Sequence, residues 1–179
     1  MAESGQTKKI LAESMKTLME QQPFAKISVG DICSLCQMNR KSFYYHFRDK
    51  YDLVNWIFQT EFLLTIRPES LTDIWQIILD LCRYFYDNRA FYYNALSVQG
   101  QNSFQDYFRE ILAPVFRGYT AQIIEEKDEE FFVNFYSDAF IAAILRWLSQ
   151  KDCMPPERFT GLLSRCAGGI DLRKTDGES

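Results

Sequence analysis

Two helix N-termini stand only eleven residues apart in this chain, at Ser28 and Asn39, and that spacing leaves room for little except two short helices joined by a tight turn. Ser28 followed by Asp31 is a capping box, and Ile27 with Ile32 supplies a hydrophobic staple, so one helix starts at about Val29. Asn39 repeats the design as an N-cap, with Met38 and Phe43 as its staple pair. At about 100° per residue, Phe43 and Phe47 share the buried face of the second helix. Tyr45 then stands opposite, with Lys41 and Ser42 beside it and Arg40, Tyr44 and His46 on the flanks. Two outward tyrosines gain nothing in packing on a helix built only for solubility. They suit a surface of hydrogen-bond acceptors and sugar faces, such as a major groove with its bordering phosphates.

Helical punctuation continues along the chain. Ile10, Leu11, Met15, Leu18 and Met19 mark the inner face of a first helix, which Pro23 closes. Asp49 caps a fourth, with Asp52 completing the box, and the pattern carries it to about Ile66, with Pro68 ending it. Lys50 in its first turn opposes the helix dipole, a placement that a bound phosphate would offset. Ile74, Ile77, Ile78, Leu81, Cys82 and Phe85 form the stripe of a fifth helix. Asn88, Gly100 and Asn102 bound a shorter sixth. Ser103 and Asp106 open a seventh, which Pro114 should kink. Phe131 to Leu148 is apolar on more than one face and carries Ala139, Ala142 and Ala143. A last helix begins at Pro155 or Pro156, is striped by Phe159, Leu162, Leu163 and Cys166, and stops at Gly168 and Gly169. No strand-like alternation persists. The expected fold is all-α: a three-helix helix-turn-helix domain over residues 1–50, a helical regulatory and dimerisation domain over 51–170, and a frayed tail over 171–179.

Charge supports this division. The chain carries −4 overall, yet residues 1–50 hold eight Lys and Arg against five Asp and Glu, while the remainder is acidic. Five cysteines accompany no signal peptide and no apolar run of membrane-spanning length, which predicts a reduced, cytoplasmic chain that does not enter a membrane. Cys33 and Cys36 form a CxxC on the inner side of the second helix, read as small hydrophobes rather than as a metal or redox pair. His46 is the only histidine, no glycine-rich phosphate loop is present, and the acidic run Glu125 to Glu130 reads as a solvated helix junction. The expectation is a protein that is not an enzyme, with no cofactor and no metal site.

The segment SFYYHFRDKYDL, Ser42 to Leu53, and its surroundings from Lys9 to Phe58 resemble the TetR family of bacterial transcription regulators. The match falls at Asp31, Ile32, Phe43, Tyr44, His46, Phe47 and Lys50. It departs at Gln37, where the family has glycine and where a left-handed residue costs about 1 kcal/mol. The resemblance implies that Lys41 and Tyr45 reach base edges or nearby backbone, that Arg40 is a weaker base reader, and that Ser28, Ser42, Tyr44, His46 and Lys50 position the domain on phosphates. It also implies a homodimer on double-stranded operator DNA, against a plain intramolecular core for the last two helices. The candidate interface is Phe132, Ala139, Ala143, Trp147, Phe159 and Leu163. An effector pocket is expected among Phe62, Phe85, Tyr107, Phe108 and Phe135, residues that would otherwise be core. The segment Phe85 to Phe108 is similar to regulators related to the activator of dihydroxyacetone kinase operons. That likeness implies a signal arriving either as a small molecule or through a co-regulator protein, with DNA binding secondary or lost in the latter case.

Overall fold

Ser28 accepts the Asp31 N–H while Asp31 accepts the Ser28 N–H at 2.8 Å, and that reciprocal box starts the second helix where the sequence placed it. In the computed structural model, which describes residues 2–67, 73–120 and 125–167, the described residues form nine α-helices and no strand. They are α1 (Ala2–Gln21), α2 (Val29–Leu35), α3 (Arg40–His46), α4 (Lys50–Glu61), α5 (Ile74–Asp87), α6 (Arg89–Leu96), α7 (Phe104–Thr120), α8 (Glu129–Ser149) and α9 (Pro156–Ala167). The proposed stops at Pro68 and at Gly168 and Gly169, and the tail 171–179, lie outside the described residues.

Between α2 and α3 the chain turns in a Schellman arrangement, with Met38 N–H on the Cys33 carbonyl at 2.9 Å and Gln37 N–H on that of Ser34 at 3.3 Å. Gln37 takes φ 55°, the left-handed conformation that the missing glycine would have reached more easily. Asn39 Oδ1 accepts the Ser42 N–H at 2.8 Å and opens α3. The α4 box is offset by one residue from the expected pairing: Asp49 accepts from Asp52 N–H, but Asp52 reaches the Arg48 N–H. α4 also stops earlier than expected, at Glu61, and a 3-10 turn over Leu63–Thr65 follows. Pro114 sits inside α7, which continues past it to Thr120.

α4 belongs to both halves of the molecule. Its N-terminal part packs with α1 against the helix-turn-helix, while Phe58 enters the C-terminal half and meets Phe85, Phe104 and Phe108 at centroid distances of 5.3–5.8 Å. Phe58, Phe85, Phe104 and Phe108 are buried, and each such aromatic pair adds about 0.5–1.5 kcal/mol beyond area burial. This cluster makes α4 a stiff connector rather than a flexible linker.

α8 corrects one expectation. With the turn before it, Glu126–Ser149 is long and apolar enough to cross a membrane. Val133, Phe140, Ile141, Ile144, Trp147 and Leu148 are nevertheless buried against the rest of the protein, where α8 packs on α6 and α7 as a core helix. The Arg89 guanidinium closes its C-terminus, donating to the carbonyls of Leu148 at 2.7 Å, Lys151 at 3.3 Å and Gln150.

Candidate nucleic-acid interface and effector cavity

The outer face of α3 carries a small set of free side chains on a firmly specified base. Phe43 and Phe47 are buried beneath it, while Tyr45 is 82% exposed and Tyr44 58%. Tyr44 rests edge-on against Phe43 at 5.5 Å and Tyr45 edge-on against His46 at 4.9 Å, so both rings are oriented before any ligand arrives. Lys41 is exposed beside them and His46 half-buried. The structure brings Lys41, Tyr44, Tyr45 and His46 onto one open surface.

The other predicted phosphate and base contacts have different surroundings. The Ser28 hydroxyl is 2.7 Å from Asp31 Oδ2, and the Ser42 hydroxyl 3.2 Å from Asn39 Oδ1, so both are engaged in their caps. Arg40 is exposed but folds back over α2: a Cβ on Gly30 would lie 2.5 Å from Arg40 Nη2. Its charge joins the stronger Ser28 hydrogen bonds in holding the Asp31 carboxyl below its usual range.

Lys50 is the clearest correction. Its ammonium donates to the carbonyls of Phe24 at 2.8 Å, Ile27 at 2.7 Å and Ala25 at 3.4 Å, and lies 4.4 Å from the centre of the Phe24 ring. Burial lowers its pKa, partly opposed by Asp31. The donors expected to meet a phosphate instead tie the first turn of α4 to the segment that leads into α2.

Of the two cysteines in the CxxC, Cys33 is buried, with its thiol pKa raised by desolvation, and Cys36 is half-buried with Sγ 3.2 Å from the Ile32 carbonyl. Both act as packing groups of α2.

A cavity of about 520 Å³ opens between α4, α5, α7 and α8. Of the five residues named for an effector pocket, Phe62 and Phe108 line this cavity. Phe85, Tyr107 and Phe135 do not: Phe85 is sealed in the aromatic cluster around Phe58, Tyr107 is half-buried against Phe104, and Phe135 is 57% exposed on α8. Ile74, Ile77 and Ile78, which the sequence places on the inner stripe of α5, also line it, and Phe58, Trp75, Ile111, Leu112, Phe116 and Tyr136 are among the other wall residues.

Beside the cavity a polar chain crosses between the two halves. Tyr92 donates to Tyr84 at 2.8 Å, Tyr84 to Glu61 Oε2 at 2.9 Å, and Glu61 pairs with Lys16 of α1 at 2.6 Å. Desolvation raises the pKa of both tyrosines, so they stay neutral donors. Phe62, a wall residue, stacks on Tyr84 at 5.4 Å. Nothing in the sequence spacing announced this chain.

Among the proposed interface residues, Trp147 and Phe159 are buried within the protomer and stack on each other at 4.3 Å, because α9 folds back against α5 and brings Phe159 onto the end of α8. Trp147 Nε1 also donates to the Met154 carbonyl. They are intramolecular core. Ala143 and Leu163 are half-buried against the same core, Phe132 is half-buried and Ala139 exposed. Among the described residues of α8 and α9, the large apolar side chains left uncovered are Phe131, Phe135 and Leu162.

Residues 10–57 match the model of the tetR family of bacterial regulatory proteins, and residues 73–169 match that of a TetR-type transcriptional regulator C-terminal region. The chain belongs to the TetR family. It is 37% identical over 87 residues to the HTH-type dhaKLM operon transcriptional activator DhaS of Lactococcus lactis subsp. lactis, an overlap of 48% of this chain and 46% of that relative. The match thus spans about half the length of the curated relative. A TetR transcriptional regulator from Streptococcus agalactiae has a solved structure with TM-score 0.72 and 21% identity, covering 93% of this chain and 96% of that one. The structure of a dihydroxyacetone kinase operon activator DhaS gives TM-score 0.62 and 22% identity over 90% of this chain and 93% of that one. NalD of Pseudomonas aeruginosa, secondary repressor of the MexAB-OprM multidrug efflux pump, gives 0.64 and 14% over 92% and 96%. These structures carry the fold: a helix-turn-helix followed by a helical C-terminal domain.

Proposed function

We propose that this TetR-family transcriptional regulator binds operator DNA as a cytoplasmic homodimer and is switched by an effector received in its C-terminal domain. The observation that carries the DNA-binding reading is the α3 surface, where Lys41, Tyr44, Tyr45 and His46 are exposed or half-exposed on a helix whose every local restraint is satisfied. Lys41 and Tyr45 face base edges; Tyr44 and His46 meet the flanking phosphates. Phe131, Phe135 and Leu162 supply apolar surface for a second protomer, which would place two α3 helices on successive half-sites.

Switching runs through α4. Phe58 and Phe62 form part of the cavity wall, Glu61 and Tyr84 link the end of α4 to α1 and α5, and Lys50 fixes its start to the helix-turn-helix. An occupant that moves Phe62 therefore moves the DNA-binding domain as a body and alters the separation of the two recognition helices. Such coupling is typically worth about 1–3 kcal/mol.

Gel-shift titration with the DNA upstream of the chain's own gene tests this reading. Lys41→Ala and Tyr45→Ala should each weaken specific binding by about 1–3 kcal/mol while circular dichroism stays unchanged. Absence of specific binding by the wild-type protein would favour a second reading, in which the uncovered Phe131 and Phe135 receive a co-regulator protein and DNA contact is secondary.

A further inference from the structure

The lining of the C-terminal cavity restricts what can enter it. Among the described residues that line it no side chain is charged, and the side-chain polar atoms belong to Trp75, whose indole N–H donates, and Tyr136, whose hydroxyl donates or accepts. The remainder is hydrocarbon, with Ile74, Ile78, Ile111 and Leu112 facing the rings of Phe62 and Phe116. A volume of about 520 Å³ is that of a small-molecule site rather than of a packing defect. Water gains little there, because a buried water needs two to four polar partners, roughly what the whole lining offers. A carboxylate, phosphate or ammonium would meet no counter-charge on the described wall, because Arg67 and Asp80 line a smaller pocket on the other side of Phe62, Ile66 and Ile77, and burial of an unpaired ion is strongly unfavourable. A polyol would leave most of its hydroxyls unsatisfied.

We infer that the cavity binds an uncharged, predominantly hydrocarbon molecule carrying at most one or two hydrogen-bonding groups, these being held by Trp75 and Tyr136. This rests on the reading of the C-terminal domain as effector-receiving and adds to it the chemical class. Recognition is by shape and apolar area. The affinity then scales with chain length, about fourfold for each methylene buried, until the cavity is filled.

The test is calorimetric titration of the full chain with 1-hexanol, 1-octanol and 1-decanol, with decanoate and decylammonium as charged counterparts and glycerol as the polar control. The expected result is about fourfold tightening per methylene along the alcohols, binding of both ions at least tenfold weaker than decanol, and none of glycerol. Val115→Trp, which projects a ring from the wall, should abolish decanol binding. Where that variant fails to fold, Ile111→Lys should instead reverse the order and favour decanoate. Equal affinity for decanol and the ions, no chain-length dependence, or unchanged decanol binding in the folded Val115→Trp protein would overturn the inference. Gel shifts with and without decanol separate the two levels. Decanol binding without any change in operator affinity supports the ligand class and overturns the effector reading; failure of all the alcohols on a protein that still binds operator overturns the ligand class alone.

Discussion

Replacing Lys50 by Met separates two roles that this lysine could have in a DNA-binding protein. The methionine keeps an unbranched apolar side chain and removes the ammonium that lies over the Phe24 and Tyr51 rings. Three carbonyls then lose a charged donor, but unequally. Phe24 O retains the Ile27 N–H at 3.1 Å, Ala25 is exposed so that water replaces the lost donor, and Ile27, buried, bears the main loss. One well-formed hydrogen bond from a charged group contributes about 1.5–3 kcal/mol, the cation-π contact about 0.5–1 kcal/mol, and recovered lysine freedom and solvation offset part of both. The expected destabilisation is about 2 kcal/mol, or a urea midpoint lowered by about 1 M at a slope of about 2 kcal/mol/M. Operator binding read at several salt concentrations supplies the second half of the test. A lysine on a phosphate contributes about 0.9 to the slope of log K against log salt, so a phosphate contact at Lys50 would make Lys50→Met flatten the slope by that amount per protomer, whereas the carbonyl tether leaves the slope unchanged. A Lys50→Met protein with wild-type stability and a flattened slope would refute the tether and restore the phosphate contact.

Four further outcomes follow from other sites. Gln37→Gly relieves the φ of 55° and should raise stability by about 0.5–1 kcal/mol without altering operator affinity; a loss of stability in chemical denaturation would contradict the strain argument. Tyr84→Phe strands the buried Tyr92 hydroxyl and should cost about 1–3 kcal/mol, whereas Tyr84→Phe with Tyr92→Phe should cost less than the sum of the singles; strict additivity would show that the hydroxyls do not communicate. Asp31, whose pKa is held below 3.8 mainly by Ser28, contributes stability that is complete above that value and lost as pH falls through its folded pKa, so Asp31→Asn should flatten the acid limb of a melting curve, and an unchanged limb would remove the box from the account. Phe135→Glu puts a charge on the uncovered face of α8 and should yield folded monomers with weakened operator binding; wild-type sedimentation of this variant would place the dimer contact elsewhere.

The helix-turn-helix was legible in the sequence because its restraints are local. Ser28 with Asp31, Asn39 with Ser42, and the staples around them act over three to five residues, so their partners can be read by counting. The outward set on α3 follows from the same geometry, since placing Phe43 and Phe47 inside fixes where Tyr45 must point. Tertiary structure decided whatever depended on a partner far along the chain. Lys50 finds its acceptors 23 to 26 residues upstream, and Glu61 meets Lys16 at a separation of 45. Trp147 and Phe159 looked available to a second protomer until α9 folded back and stacked one on the other. The α5 stripe shows the division most plainly. Cys82 and Phe85 are buried in the core while Ile74, Ile77 and Ile78 line a cavity, with Leu81 buried at its edge, although all six keep the same helical period. Periodicity specifies which face turns inward; whether that face is filled or left open depends on what α4, α7 and α8 place opposite it.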